Sequence, residues 1–284
     1  MDLHKLIEAE KLKKNNTPVS DFDNLSPNDF HFILYDTYNE NSPVHFQKKI
    51  DNETLDKIGL FRMAEDFIRI IEREKFIKLT PLGALPRKVL VELYDKKHLI
   101  DDLIEKGIMK LMREIDSLTI TSIKIVAKLA GITKKVNGKL TLTKKGENLL
   151  KPENRQLFFE LFIKTFADKF NWGYHDGFIN KPIGQKAWTF TIYLLNKYSN
   201  DYQNENFYAE KYLKAIPDYF SDFEYEIYKS QIDQYSSCFG LRSFERFLKW
   251  FGLVEIEIEE KSDLNRERKV KAAELLTQVF NINN

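Results

Sequence analysis

Apolar residues recur at three- and four-residue spacing in several windows of this chain, and that spacing predicts helices. The first window holds Leu60, Phe61, Ala64, Phe67, Ile68 and Ile71. A β-like stretch over 76–79 follows, and Val89, Leu90, Leu93 and Tyr94 then predict a helix restarted at Pro86. Residues 99–115 read as helical and 117–121 as a capping region. Ile123, Val126, Ala127 and Ala130 form the face of a further helix that Gly131 ends. Two short strands, 132–136 and 139–142, flank Asn137-Gly138, a pair that accepts the positive φ a tight hairpin turn needs. Thr143 then caps a helix over 144–150. Phe158, Phe159, Phe162, Phe166 and Phe170 continue the helical spacing, and Trp188, Tyr193, Leu194 and Leu195 begin another helix. Towards the C-terminus Phe244, Phe247, Leu248 and Phe251 share a face that Gly252 closes. Val254-Glu255-Ile256-Glu257-Ile258 alternates as a half-buried strand does. Residues 262–265 read as a loop, 266–270 as a return strand and 272–280 as a final helix.

This pattern divides the chain into five segments. Residues 1–55 are a lead-in with little regular structure, apart from one short helix after Ser26-Pro27 whose Phe30, Ile33 and Leu34 pack onto something larger. The stretch 37–51 is polar and loop-like. Residues 56–98 and 99–151 are a first and a second helix-and-hairpin unit, the first without room for a full hairpin. Residues 152–236 are a helical, aromatic-rich block, and 237–284 are a third unit resembling the second. The pentapeptide Leu-Thr-x-x-Gly occurs as 79–83 and again as 142–146, each time after a helix and a β-like run and before an apolar helical run. In the first copy Thr80 is a candidate N-cap with Pro81 at the first helical position. The expected fold is therefore mainly α with small β-hairpins (α+β), built from repeated units around a helical middle block.

Composition limits the function classes. At 284 residues, with 43% apolar and 13% aromatic residues, the chain can build about two or three cores. The net charge is +1, so any affinity for nucleic acid must come from a local patch. A single cysteine, Cys238, excludes an internal disulfide and fits a reducing compartment. The first residues lack the apolar core of a secretion signal, and the most apolar stretches are too short to span a bilayer. A cytoplasmic protein is expected, and the abundance of Lys, Asn and Ile is that of a low-GC bacterial genome.

Residues 125–150 resemble the winged-helix superfamily of bacterial transcription regulators. Leu129-Ala130-Gly131-Ile132, then Asn137-Gly138, then Leu142-Thr143-Lys144-Lys145-Gly146 carry the resemblance. It implies winged-helix-like units, and a helix-turn-helix core whose last helix before the wing, about 121–130, enters a DNA major groove. A looser similarity links Leu25-Ser26-Pro27-Asn28-Asp29-Phe30-His31, Leu34-Tyr35-Asp36 and Gly83-Ala84-Leu85-Pro86-Arg87 to uncharacterised bacterial proteins; it implies no activity.

Charge is the strongest functional signal. Residues 117–151 hold Lys124, Lys128, Lys134, Lys135, Lys139, Lys144, Lys145 and Lys151 against the single acid Glu147, so the segment carries +7 in a chain of net +1. Such an asymmetry marks a site of phosphate contact, or else a solvated lysine face on a packing module. The segment has no arginine, which argues against base-specific readout. In the third unit Arg242, Arg246 and Lys249 fall at i, i+4 and i+7, a second candidate stripe. The acidic strand after it, with Glu255, Glu257, Glu259 and Glu260, would repel a phosphate backbone and favours a protein or internal contact there.

No catalytic residue emerges. Cys238 has no base beside it in sequence. His175-Asp176 is one adjacent pair, and the five histidines show no metal-ligand spacing, so neither metal nor cofactor is expected. A phosphate-binding glycine loop, Gly-x-Ser-x-Gly and His-Glu-x-x-His are all absent. The aromatic helix 158–170 reads mainly as core, with aromatics that also suit an interface.

Two readings remain. The first is a non-catalytic regulator binding double-stranded DNA through Lys124, Lys128, Lys134, Lys135 and Lys139, with Arg242 and Arg246 as further candidates. The second is a protein-interaction scaffold in which the same units only pack. An open lysine stripe favours the first, and an acidic helix lying over it favours the second. An enzyme would need a deep pocket with converging polar groups. The sequence fixes no oligomeric state.

Overall fold

The computed structural model describes residues 3–198, 200–227, 229–262 and 265–283, apart from the side chains of 260–262, 265 and 266. The chain folds into two units, 1–48 together with 171–284, and 49–170. With 53% helix and 11% strand in small antiparallel sheets, the fold is mainly helical α+β.

The chain opens with α1 (Leu3–Asn15), a helix that buries none of its residues. Helix α2 (Pro27–Tyr35) starts where Ser26-Pro27 predicts it. The Ser26 hydroxyl accepts from the Asp29 N–H, and the Asp29 carboxylate accepts from the Ser26 N–H, a reciprocal capping box. Strand β1 (Val44–Phe46) lies in the stretch expected to be loop. Its partner is the C-terminal strand, more than 230 positions away in sequence, and no local pattern announces such pairing.

The continuous unit contains α3 (Asn52–Asp56), α4 (Gly59–Glu74), β2 (Ile77–Lys78), α5 (Arg87–Tyr94), α6 (Asp102–Glu105), α7 (Leu118–Leu129), β3 (Thr133–Val136), β4 (Lys139–Leu142), α8 (Lys144–Leu149) and α9 (Arg155–Asp168). Every apolar residue that predicts α4 is buried. Phe61 meets Phe158 and Phe159 of α9 edge-on at 5.1 and 5.4 Å. Each fully buried aromatic contributes roughly 1.5–3 kcal/mol of transfer free energy, so this contact joins the two longest helices of the unit. The sheet order is β2-β4-β3, all antiparallel. The strand of the expected first unit therefore pairs with the hairpin of the expected second, and the two form one body with one sheet rather than two repeats.

Two local expectations here are corrected. Residues 99–115 do not form one helix. Helix α6 has four residues, Gly107 turns the chain at φ +70°, and a 3-10 turn, Glu114–Asp116, leads into α7. Thr80 does not cap a helix either. Its hydroxyl accepts from the Ala84 N–H at 3.0 Å and Gly83 sits at φ +80°, which closes a turn.

The chain then re-enters the discontinuous unit with α10 (Trp188–Tyr198), β5 (Gln203–Asn204), α11 (Glu205–Ala215) and α12 (Gln231–Phe239). Helix α12 passes straight into a nine-residue π-helix, Gly240–Leu248. Strands β6 (Val254–Ser262) and β7 (Asn265–Ala272), α13 (Leu275–Val279) and β8 (Phe280–Ile282) close the chain. The expected last helix is thus shorter, and its end pairs as β8 with β1. The hairpin expected over 253–270 is formed, in the sheet order β5-β7-β6. Of its expected loop, Asp263 and Leu264 lie outside the described residues. The core is aromatic: Trp188 contacts Phe247 and Phe280, and Phe30 stacks on Phe22 and meets Phe190 edge-on. Asp23 is a polar anchor, accepting from Lys197 and Lys211 of α10 and α11 and from Tyr198.

Candidate nucleic-acid interface

The hairpin β3–β4 is built as its sequence demands. Asn137 and Gly138 both take positive φ, +48° and +72°, and register pairs Val136 with Lys139. Because side chains alternate across a strand, the register fixes which residues share a face. Lys134, Val136, Lys139, Thr141 and Lys78 lie on one face of the sheet. Ile77, Thr133, Lys135, Leu140 and Leu142 lie on the other, where Ile77, Thr133 and Leu140 are buried. The outer face is open: Lys78, Lys134 and Lys139 are exposed, as are Phe76 and Val136. Lys139 Nζ stands 3.9 Å above the Phe76 ring, a cation–π contact that fixes the amine near the middle of the face. Lys135 is also exposed, and its Nζ reaches towards the turn at Gly83. Lys128, at the last turn of α7, is exposed. None of Lys78, Lys128, Lys134, Lys135 and Lys139 makes an ion pair among the described residues.

Lys124 behaves differently. Its Nζ donates to both oxygens of Glu114, at 3.0 and 2.8 Å, and to the Gly83 carbonyl at 2.7 Å. The pair is mostly shielded from water. The same Glu114 carboxylate accepts from the Leu85 N–H. Lys124 is therefore neutralised and pins the 80–85 turn and the 3-10 turn to α7, so the expectation that it faces phosphate is corrected.

The helix expected to read a groove is also covered. Ile120, Thr121, Ser122, Ile123, Val126 and Ala127 are buried against α4, α9 and the 3-10 turn, and α7 exposes only Lys128 and Leu129. A major-groove reading helix needs an open face with several side chains free to meet base edges. Helix α7 has none.

The second candidate stripe turns inward. Arg242 is fully buried; its Nε donates to Asp176 at 2.5 Å, and its other nitrogens donate to the carbonyls of Ile179 and Lys181. Arg246 donates to the carbonyls of Tyr174 and His175 at 2.7 and 3.0 Å. Both guanidinium groups hold the 174–181 loop against the π-helix, Arg242 through all three of its nitrogens and Arg246 through its two terminal ones. Arg242 is sealed from phosphate and Arg246 is half-buried and bound to the loop, which corrects the expectation of an exposed stripe. Asp176 is Arg242's counter-ion, and His175, at φ +51°, sits in a turn. Among the described residues no three His, Cys, Asp or Glu side chains are grouped to hold a metal ion. Cys238 is buried, and burial pushes its thiol up to about 12, so it carries no thiolate near neutral pH.

An open groove of about 420 Å³ lies elsewhere in the same unit, lined by Val91, Tyr94, Ile104, Met109, Leu111 and Met112 among others. Beside it Ile100, Leu103, Ile108, Met112 and Ile115 are exposed. No described helix is long and apolar enough to cross a membrane.

Residues 57–156 match the family model described as the Y4jL N-terminal domain. The match covers the chain from the end of α3 to the start of α9, and so contains the whole lysine-bearing sheet. Neither a curated protein nor a solved structure matches the chain.

Sequence reasoning missed Lys78, Phe76 and Glu114. Alternation along 76–79 puts Phe76 and Lys78 on one face, and that signal was available. The pairing of β2 with β4, which brings them beside Lys139, is non-local and was not.

Proposed function

We propose that the 49–170 unit is a winged-helix-like, non-catalytic module that binds double-stranded DNA through its wing. The element order supports this reading: helix α4, strand β2, helices α5 and α7, then β3 and β4, with β2 and β3 flanking β4 in one antiparallel sheet. The observation that carries it is the outer sheet face, where Lys78, Lys134 and Lys139 stand exposed and unpaired, with Lys135 and Lys128 nearby. These contacts go to phosphate and position the duplex without reading bases. Helix α7 acts as core, not as reading helix. A cytoplasmic setting is part of the same proposal and rests on the single cysteine.

Anisotropy of a labelled random duplex of about 30 base pairs, titrated at about 50 and about 200 mM salt, tests this. Three to five phosphate contacts give a slope of log affinity against log salt of roughly −3 to −5. Changing Lys78, Lys134 and Lys139 to Glu flattens the slope by about three. No binding at the lower salt, or a slope unmoved by the triple change, removes the proposal.

A scaffold is the second reading. The exposed apolar side chains at 100, 103, 108, 112 and 115 beside the open groove favour it, because exposed apolar clusters mark interaction surfaces.

A further inference from the structure

Strand β6 lies at the end of its sheet. It pairs with β7 on one side, and β7 pairs with β5 beyond it. No strand covers the other edge of β6 among the described residues. A strand this long presents a row of unused N–H and C=O groups at alternate residues, the template to which an extended chain adds.

The two faces of that edge differ sharply. Val254, Ile256 and Ile258 lie on one face with Ala272, Val270 and Arg268 of β7, the arginine opposite Ile258. Exposure rises along it, from Val254 and Val270 in the core to Ile258 at 49%. Glu255, Glu257 and Glu259 lie on the other face, all exposed. On the paired side β7 answers two of these carboxylates with a directly opposite cation, Lys271 for Glu255 and Lys269 for Glu257; Glu259 lies opposite Glu267 and is met diagonally by Lys269 Nζ at 3.0 Å. Tyr202 also donates to Glu255. Among the described residues the open side has no such answer. Opposite charges directly across a strand pair stabilise it, and like charges destabilise it. A second copy adding antiparallel through the same edge would set glutamate against glutamate, so the edge discriminates against self-pairing.

We infer that the free edge of β6 binds an extended peptide strand in which cationic and apolar residues alternate, repeating on the open side what β7 does on the paired side. Backbone hydrogen bonds supply the register. Lysine or arginine meets Glu255, Glu257 and Glu259, and the intervening apolar residues cover Ile256 and Ile258. This inference concerns the discontinuous unit and stands apart from the DNA proposal.

The test uses the full chain and three synthetic hexapeptides: Lys-Val repeated three times, the same peptide N-methylated at alternate residues, and Glu-Val repeated three times. Affinity is read by anisotropy, and backbone amide exchange is followed at Ile256 and Ile258. The expected result is that the first peptide binds and slows exchange at these amides, while the other two bind at least about tenfold more weakly. Glu257→Gln with Glu259→Gln weakens the first peptide by about tenfold. The N-methylated peptide leaves the protein unchanged, so it decides the matter even where the double variant perturbs the hairpin. Equal binding of the first two peptides would mean surface charge alone and overturns the inference. So does failure of the first peptide to bind, or a sedimenting dimer that the peptide dissociates, since the occupant is then a second copy.

Discussion

Lysines of one composition divide into two physical classes here. Lys124 is a structural cation whose partner, Glu114, is itself mostly buried. Removing one member of such a pair strands the other, which costs more than the pair contributes. Lys124→Met should lower unfolding free energy by about 1–3 kcal/mol in denaturant titration, with the salt slope of duplex binding unchanged. A loss of slope without loss of stability would return Lys124 to the interface. Asp23 gives a prediction with a sign. Its burial works against the charge, but hydrogen bonds from Lys211, Lys197 and Tyr198 outweigh it and hold the carboxyl below its ordinary 3.8. A carboxylate depressed by folding contributes stability that is fully present above its unfolded value and is lost as pH falls through its folded value. Thermal midpoints should therefore fall as pH drops below about 4, and Asp23→Asn should flatten that fall while lowering stability at neutral pH. An acid limb as steep in the variant as in the parent would remove Asp23 from the account.

One pentapeptide folds in two ways, and the difference explains how far elements are legible from sequence. In the 142–146 copy Thr143 accepts from the Gly146 N–H and starts α8, as its capping pattern requires. In the 79–83 copy Gly83 takes a left-handed φ and the segment closes on itself as a turn. The glycines are therefore not equivalent. A Cβ on Gly146 would lie 2.4 Å from the Ile132 carbonyl oxygen, whereas one on Gly83 would meet only the flexible end of Lys135. Gly146→Ala should cost about 1–3 kcal/mol through overpacking of α8 against the hairpin, and Gly83→Ala about 1 kcal/mol through backbone strain. Equal costs would contradict this assignment. Signals confined to one element were legible: the buried stripe of α4, the Asn137-Gly138 turn, the Ser26 box and the alternation of β6. Partners distant in sequence were not. The pairings of β1 with β8 and of β2 with β4 leave no trace in short-range periodicity, and they turn an apparent loop and an apparent separate repeat into parts of two sheets. The inward turn of Arg242 was hidden for the same reason, because its partners Asp176, Ile179 and Lys181 lie more than 60 residues before it.

The chain's architecture places the proposed DNA contacts in one continuous segment. Residues 49–170 form a unit with its own sheet and aromatic core, while 1–48 and 171–284 together make the other. All five open lysines, at 78, 128, 134, 135 and 139, lie in the continuous unit, and so does the family match over 57–156. The salt bridges of Arg155 to Glu65 and Asp56 close that unit from within, tying the start of α9 to α3 and α4. Such a segment meets the usual description of a unit that folds alone, since it is continuous and has its own sheet and aromatic core. A fragment of residues 49–170 should unfold cooperatively in denaturant and bind a random duplex with the salt slope of the full chain. Joining 48 to 171 through a short Gly-Ser linker makes the complementary protein, which lacks all five lysines and should not bind. A folded fragment that fails to bind while the full chain binds would place the contacts outside residues 49–170 and end the reading of the outer sheet face as the interface. Binding retained by the complementary protein alone would have the same consequence, and would point instead to the surface of the discontinuous unit.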